Sequence, residues 1–316
     1  MKLRVWSEFL PYRELGQPAV LRLLRAFDCG LLVQVRQQSL GKELAELLHR
    51  SREEGVEAGL WLLLTEDQGY WPSERNAGLF RDYLTRVLEW RAPAWIAVDL
   101  EPPLWQMRAR GRRGLAGLPD WLRFARDNIS PRRFEAAHQT FGEVIQLAHA
   151  AGTKVLCAAH DYLAEDLWLG RPAMQDLHEA PVLGLPWDAI SVMLYGSLVP
   201  RCPRRWLYET ARLLGPGMGA SVGLTGAGVL GNEPHYTEPW QLALDMSALK
   251  AAGMQDFAIY NLEGILESPA PESWLQAAVA AEARAPRPSW WVTRERAKRR
   301  VLAAVVAAWR SIRSVE

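Results

Sequence analysis

The sequence predicts a (β/α)8 TIM barrel, and three observations carry that prediction. Eight apolar, β-branched or aromatic runs alternate with helix-period segments along the chain. Several helical segments end in glycine just before the next strand, the mark of a short turn back into a parallel sheet. The chain's 316 residues exceed the roughly 250 that a full barrel needs.

The strands are expected near 3–9, 30–37, 58–65 and 95–101, then near 154–161, 188–196, 220–226 and 256–262. Runs such as GLLVQVRQ and AGLWLLLT are apolar on both faces, as strands of a parallel sheet covered by helices must be. Helices are expected over 42–54, 76–91, 134–151, 204–214 and 239–252, with Gly55, Gly152, Gly215 and Gly253 closing four of them. No GxGxxG follows the first strand, which argues against an open dinucleotide-binding sheet. The one match, GAGVLG at 226–231, comes after strand seven and reads as a flexible loop. The longest strand-to-helix connection, 103–133, also reads as a loop, and it falls on the C-terminal face where barrel active sites lie.

Residues 1–283 are expected to form the barrel, and 284–316 a Pro-containing linker and a basic amphipathic C-terminal helix. Val301, Leu302, Val305, Trp309 and Ile312 share one face of that helix, with arginines and Lys298 elsewhere. The pattern suits packing on the barrel, or a weak contact of residues 292–316 with a membrane surface or a protein. The net charge of +1 hides an asymmetry: the segment from Arg284 onward carries +7 and the rest −6. A mildly acidic body with a basic tail is not the footprint of a nucleic-acid-binding protein. Cys29, Cys157 and Cys202 are odd in number and far apart, so neither a disulfide framework nor a zinc site is expected. No apolar run approaches the roughly 18–20 residues of a membrane span, and the N-terminus lacks a signal-peptide pattern, so a cytoplasmic protein is expected. No cofactor is expected: there is no phosphate loop, nor is there a GxSxG nucleophile motif.

Candidate chemistry gathers at strand ends. Asp99 and Glu101 share one face of strand four, with Cα atoms roughly 6.6 Å apart, and Pro102-Pro103 ends the strand directly after them. Two carboxylates held close raise one pKa, so a protonated Glu101 beside an ionised Asp99 is expected to serve as a general acid. Met193 and Tyr195 share a face of strand six, and Tyr260 points inward from strand eight with Glu263 near the rim. Trp6 and Glu8 end strand one, and His160-Asp161 ends strand five. Tryptophan is abundant, with 15 residues, and Trp6, Trp61, Trp71, Trp105 and Trp121 lie where they can face the barrel mouth and stack on sugar rings. Trp206 and Trp240 fall on helices and read as packing residues. Arg108, Arg110, Arg112 and Arg113 read as solvated loop residues or as recognition groups for an anionic glycan.

VDLEPP, SVMLYG and FAIYNLEG resemble the strand-four, strand-six and strand-eight motifs of the family 18 glycoside hydrolases, the chitinase-like barrels. The resemblance implies a hydrolase acting on O-glycosyl bonds of an N-acetylhexosamine-containing carbohydrate. It implies Glu101 as general acid, Asp99 as the group that orients the acetamido function, Tyr195 as a donor to it and Tyr260 as the floor beneath the sugar. The chain departs from that pattern at Ala94 and Ala97, where acids are usual, at Gly196 after Tyr195, and at Tyr260, where Trp is usual. Two other readings stay open. One is a metal-dependent barrel isomerase or hydrolase using Glu8, Asp99, Glu101, His160 and Asp161. The other is a non-catalytic carbohydrate-binding barrel.

Overall fold

The computed structural model describes residues 1–113, 118–231 and 233–314, with the side chains of 109–122 excepted. Eight parallel strands close into a barrel in sequential order. They are β1 (Lys2–Ser7), β2 (Cys29–Val35), β3 (Ala58–Leu62), β4 (Trp95–Asp99), β5 (Lys154–His160), β6 (Ala189–Met193), β7 (Gly219–Gly223) and β8 (Asp256–Tyr260). β1 pairs with both β2 and β8, with Trp6 opposite Leu32 on one side and Tyr260 on the other, so no sheet edge is left open.

Alternation along each strand divides the core into two layers. Val5, Leu31, Leu60, Ile96, Val155 and Ile259 point outward and are sealed by the surrounding helices. Trp6, Trp61, Trp95, Leu156 and Ala258 point inward. Large inward rings need small neighbours. A side chain at Gly59 would put its Cβ 2.9 Å from both Leu32 and Trp95, so glycine there makes room for the indole at the base of the barrel. The small Ala97 one step further up β4 leaves space for Trp61, which stands opposite it in the register.

The five expected helices form at Lys42–Glu53, Ala77–Trp90, Pro131–Ala150, Pro203–Leu214 and Pro239–Ala251. Gly55 and Gly152 close two of them with φ of 73° and 74°, the conformation glycine adopts without strain. The connection over 103–133 is not a loop for most of its length: helices span Leu104–Arg113 and Leu118–Asn128. Pro103, Pro119 and Pro131 stand at helix starts, where proline is pre-organised for the helix, rather than in irregular chain. The connection after β5 likewise folds into short helices, Leu163–Leu169 and Ala173–Leu177.

The C-terminal helix, Trp290–Arg313, docks against these β5 connection helices by a face rotated from the one its apolar periodicity selects, with Leu302 and Trp309 of that face still packed against the core. Val292, Arg296, Ala303, Val306 and Ala307 are buried, whereas Val301, Val305 and Ile312 are exposed. The reason is electrostatic. Arg299 forks onto Asp161 at 2.7 and 3.1 Å and reaches Glu165 at 3.0 Å. Arg296 lies 3.4 Å from Glu165, and Arg310 lies 2.7 Å from Asp176. Thus Arg296, Arg299 and Arg310 of the basic tail neutralise acids of the barrel's upper face. Among the described residues, no helix is long and apolar enough to cross a membrane.

Candidate active site

The C-terminal ends of the strands surround a cavity of about 360 Å³ on the barrel axis. Its walls include Trp6, Trp61, Trp71, Tyr195 and Tyr260, and its polar groups include Glu8, Asp99, Glu101, His160, Asp161 and Glu233. The aromatic floor is interlocked. Trp6 and Trp61 meet edge to face at 5.0 Å, Trp61 lies 6.3 Å from Tyr260, and Tyr195 lies 5.9 Å from Tyr260. Trp6 Nε1 donates to Ser221 Oγ at 3.2 Å, which itself lies 2.9 Å from Ser191 Oγ. The rings are therefore held by β1, β3, β6, β7 and β8 together.

β4 delivers the two central acids. The Leu100 amide donates to Ala158 O at 3.0 Å and the Glu101 amide to Pro72 O at 3.3 Å, which carries the strand's direction past its end and keeps both carboxyls facing the axis. Asp99 is 6% exposed and its Oδ1 has no hydrogen-bond partner. Burial, followed by the nearby Glu101 and Glu8 carboxylates, pushes Asp99 well above the usual carboxylate range. Against the sequence-based expectation of an ionised Asp99, its depth and the neighbouring acids favour the neutral form. Glu101 stands nearer the opening, with its Oε2 2.9 Å from His160 Nε2.

Glu8 is held differently. The hydroxyls of Tyr70 and Tyr260 donate to its two oxygens. Burial raises its pKa to about 7, although both tyrosine hydrogen bonds oppose the rise. Asp161 is the counter-case. Burial would raise it, but the Arg299 fork and a 3.3 Å hydrogen bond from Trp206 Nε1 bring it to about 2. Burial, with Asp99 and Glu101 close by, pushes the Tyr195 hydroxyl well above its usual value, so it faces the cavity as a neutral donor.

Of the residues expected at the site, Trp6, Glu8, Asp99, Glu101, His160, Asp161, Met193, Tyr195 and Tyr260 line this cavity. Trp105 does not: it is 57% exposed on the outer surface of the Leu104–Arg113 helix. Glu263 does not line it either. One of its oxygens accepts from Ser7 Oγ and from the amides of Glu8, Phe9 and Leu10 at 2.8–3.2 Å, so Glu263 clamps the chain leaving β1 and places Glu8. Arg108 pairs with Glu66 at the surface, 2.6 Å away, while the side chains of Arg110, Arg112, Arg113 and Trp121 lie outside the described residues.

Three features escaped sequence reasoning. Trp206 lines the cavity from a helix rather than packing beneath it, because Asp161 draws its indole N–H inward. Trp240, also read as packing, is 56% exposed. Glu233 enters from the chain after β7, and burial together with Glu101 raises its pKa. The signal for Glu233 was the glycine run before it. A Cβ on Gly228 would stand 2.3 Å from Glu233 Oε2, and one on Gly226 would stand 2.8 Å from Asn261 Oδ1. The segment read as a flexible loop is close-packed against the end of β8. Gly196 has a similar explanation, since a Cβ there would lie 1.7 Å from Asp245 Oδ2, which accepts from Tyr236 OH. No side chain fits after Tyr195 in this chain. Among the described residues, no three or more His, Cys, Asp or Glu side chains converge so as to hold a metal ion.

No protein-family model and no curated protein sequence matches this chain, so the likeness to family 18 rests on the short motifs alone. Solved structures do match. The PgaB (BpsB) glycoside hydrolase domain from Bordetella bronchiseptica is 9% identical with a TM-score of 0.57, over 90% of this chain and 100% of that one. PbGH5A, a glycoside hydrolase family 5 enzyme from Prevotella bryantii, is 10% identical with a TM-score of 0.50, over 89% and 95%. A D-allulose 3-epimerase from Methylomonas sp. is 9% identical with a TM-score of 0.51, over 89% and 96%. At these identities the likeness establishes the shared barrel, a fold that hosts many chemistries.

Proposed function

We propose that the chain is a glycoside hydrolase acting on an N-acetylhexosamine-containing glycan, with Glu101 as the general acid. The observation that carries this reading is the unpartnered Oδ1 of buried Asp99 beneath Glu101, in a cavity walled by Trp6, Trp61 and Trp71. A buried polar atom without a partner costs roughly 1–3 kcal/mol, so it is a place where a ligand's polar group gains by binding. A neutral carboxylic acid both donates and accepts, which matches the N–H and C=O of an acetamido group. Flat apolar rings with polar edges suit the C–H faces of a pyranose.

The roles follow from position. A proton held between Glu101 and His160 can pass to the glycosidic oxygen as the bond to C1 lengthens. Asp99 and the neutral Tyr195 hydroxyl hold the acetamido group, so that its oxygen can approach C1 from the opposite side. That arrangement makes the substrate's own amide the nucleophile, an exception to the two-carboxylate rule. Water then opens the resulting ring, with Glu101 accepting the proton. Glu8, held by two phenols, is an acid of the cavity that can turn anionic near neutral pH as positive charge builds on the sugar.

The test is hydrolysis of chromogenic N-acetylhexosaminides and of chitin and peptidoglycan fragments, comparing wild type with Glu101→Gln. Activity lost with that one change, in a folded protein, supports both the class and the acid. Glycan binding without turnover by either protein would replace the hydrolase with a carbohydrate-binding barrel.

A further inference from the structure

A second cavity of about 850 Å³ adjoins the first, and Met107, His160 and Asp161 line both. Its far wall is the C-terminal helix, through Val301, Leu302 and Val305, and its near wall includes Met174 and Leu177. Tyr162 and His178, stacked at 4.2 Å and 10°, complete it. The helix leaves Val301 at 66% and Val305 at 48% exposure, although burying them against the barrel would have been favourable. Arginine pairs fix the rotation of the helix instead, and that rotation turns these valines into the groove.

We infer that this groove is a subsite for a hydrocarbon chain, continuous with the sugar cavity, so that the substrate is a glycoside with an apolar aglycone. The inference rests on the hydrolase reading for the sugar half, and on three observations for the other. The wall is apolar where it faces the space. The opening between the cavities is marked by His160, the partner of Glu101, so the groove begins on the side where the departing group emerges. The charged groups on the groove are already committed: Arg299 to Asp161 and Glu165, and Arg294 and Lys298 to Glu295. Arg294 and Lys298 share one oxygen of Glu295 and are more than half exposed, so the groove selects its occupant by the apolar wall, which an uncharged chain suits.

Calorimetry with Glu101→Gln, which cannot turn the ligand over, would compare n-octyl and methyl β-N-acetylglucosaminide, and would measure 1-octanol alone with both this variant and wild type. The octyl glycoside should bind at least about tenfold more tightly than the methyl, the effect of two well-buried methylenes. Adding Val301→Glu and Val305→Glu, both at exposed positions of the helix, should abolish that preference and octanol binding. The helix itself should stay folded by circular dichroism, and Val301→Leu should retain both. Octanol that fails to bind, or binds equally well to the double-glutamate protein, overturns the subsite. Octanol binding lost only in that protein, with neither glycoside bound or hydrolysed by wild type, sustains the subsite and overturns the sugar reading.

Discussion

Asp99 and Asp161 sit at the ends of adjacent strands, the first buried and the second a quarter exposed, and their pKa values move in opposite directions. Asp99 faces the barrel axis among Glu8 and Glu101, with one oxygen unpartnered, and is driven well above the usual range. Asp161 faces the rim, is gripped by Arg299 and Trp206, and falls to about 2. Arg296, Arg299 and Arg310 of the C-terminal helix pair with acids of the rim, Glu165, Asp161 and Asp176. The axis receives His160 and tyrosine hydroxyls instead. Neutralising an acid serves architecture. Leaving it strained and unpaired costs stability, and makes sense where a ligand is to complete the site.

The first way to break that contrast is Glu101→Gln. If the axis is the working region, kcat/KM should fall by about 10²–10⁴ while the denaturation midpoint stays within error, because the amide keeps the shape and one acceptor. A parallel loss of stability would make Glu101 another architectural acid. Arg299→Met probes the rim with the opposite expectation. It strands Asp161 and Glu165, and buried pairs broken on one side cost about 3–5 kcal/mol. The quarter-exposed guanidinium lowers the expectation to about 3 kcal/mol, read by urea unfolding at pH 7.

Glu8→Gln sharpens the comparison through pH. Its pKa of about 7 in the folded protein lies above the value near 4.5 of a free glutamate. The folded state therefore binds the extra proton, and stability is fully present below pH 4.5 and declines as pH rises to 7. Replacing Glu8 should flatten that decline, by up to about 3 kcal/mol between pH 4.5 and 8. Asp161 contributes with the reverse sign. Its depressed pKa stabilises the fold above pH 3.8, and that contribution is lost as pH falls toward 2. Urea midpoints across this range, with and without Glu8, separate the two slopes.

How much of this was legible in the sequence follows from the range of the forces involved. Strand and helix positions are set by local periodicity, so all eight strands and five helices could be read. The inward acids could be read as well, since parity along a strand fixes which side chains share a face. The helix face buried at the C-terminus could not, because ion pairs between Arg299 and Asp161, 138 residues apart, outweighed the apolar stripe. Nor could the raised pKa of Asp99, which depends on depth, or the arrival of Glu233, which depends on glycines packed against it and against the end of β8.

The tryptophans provide the finest test. Trp61 and Trp105 looked equivalent in the sequence, both near the mouth. Yet Trp61 is 2% exposed on the cavity wall with its Nε1 unpartnered, and Trp105 is 57% exposed outside it. Trp105→Ala should leave stability within about 0.5 kcal/mol and glycan affinity unchanged, as surface substitutions do. Trp61→Phe keeps an aromatic face but removes the indole N–H and part of the ring, so the same titration should show weaker glycan binding with the fold intact. If Trp105 also lowers affinity, the glycan extends over the Leu104–Arg113 helix, and the working region is wider than the barrel axis.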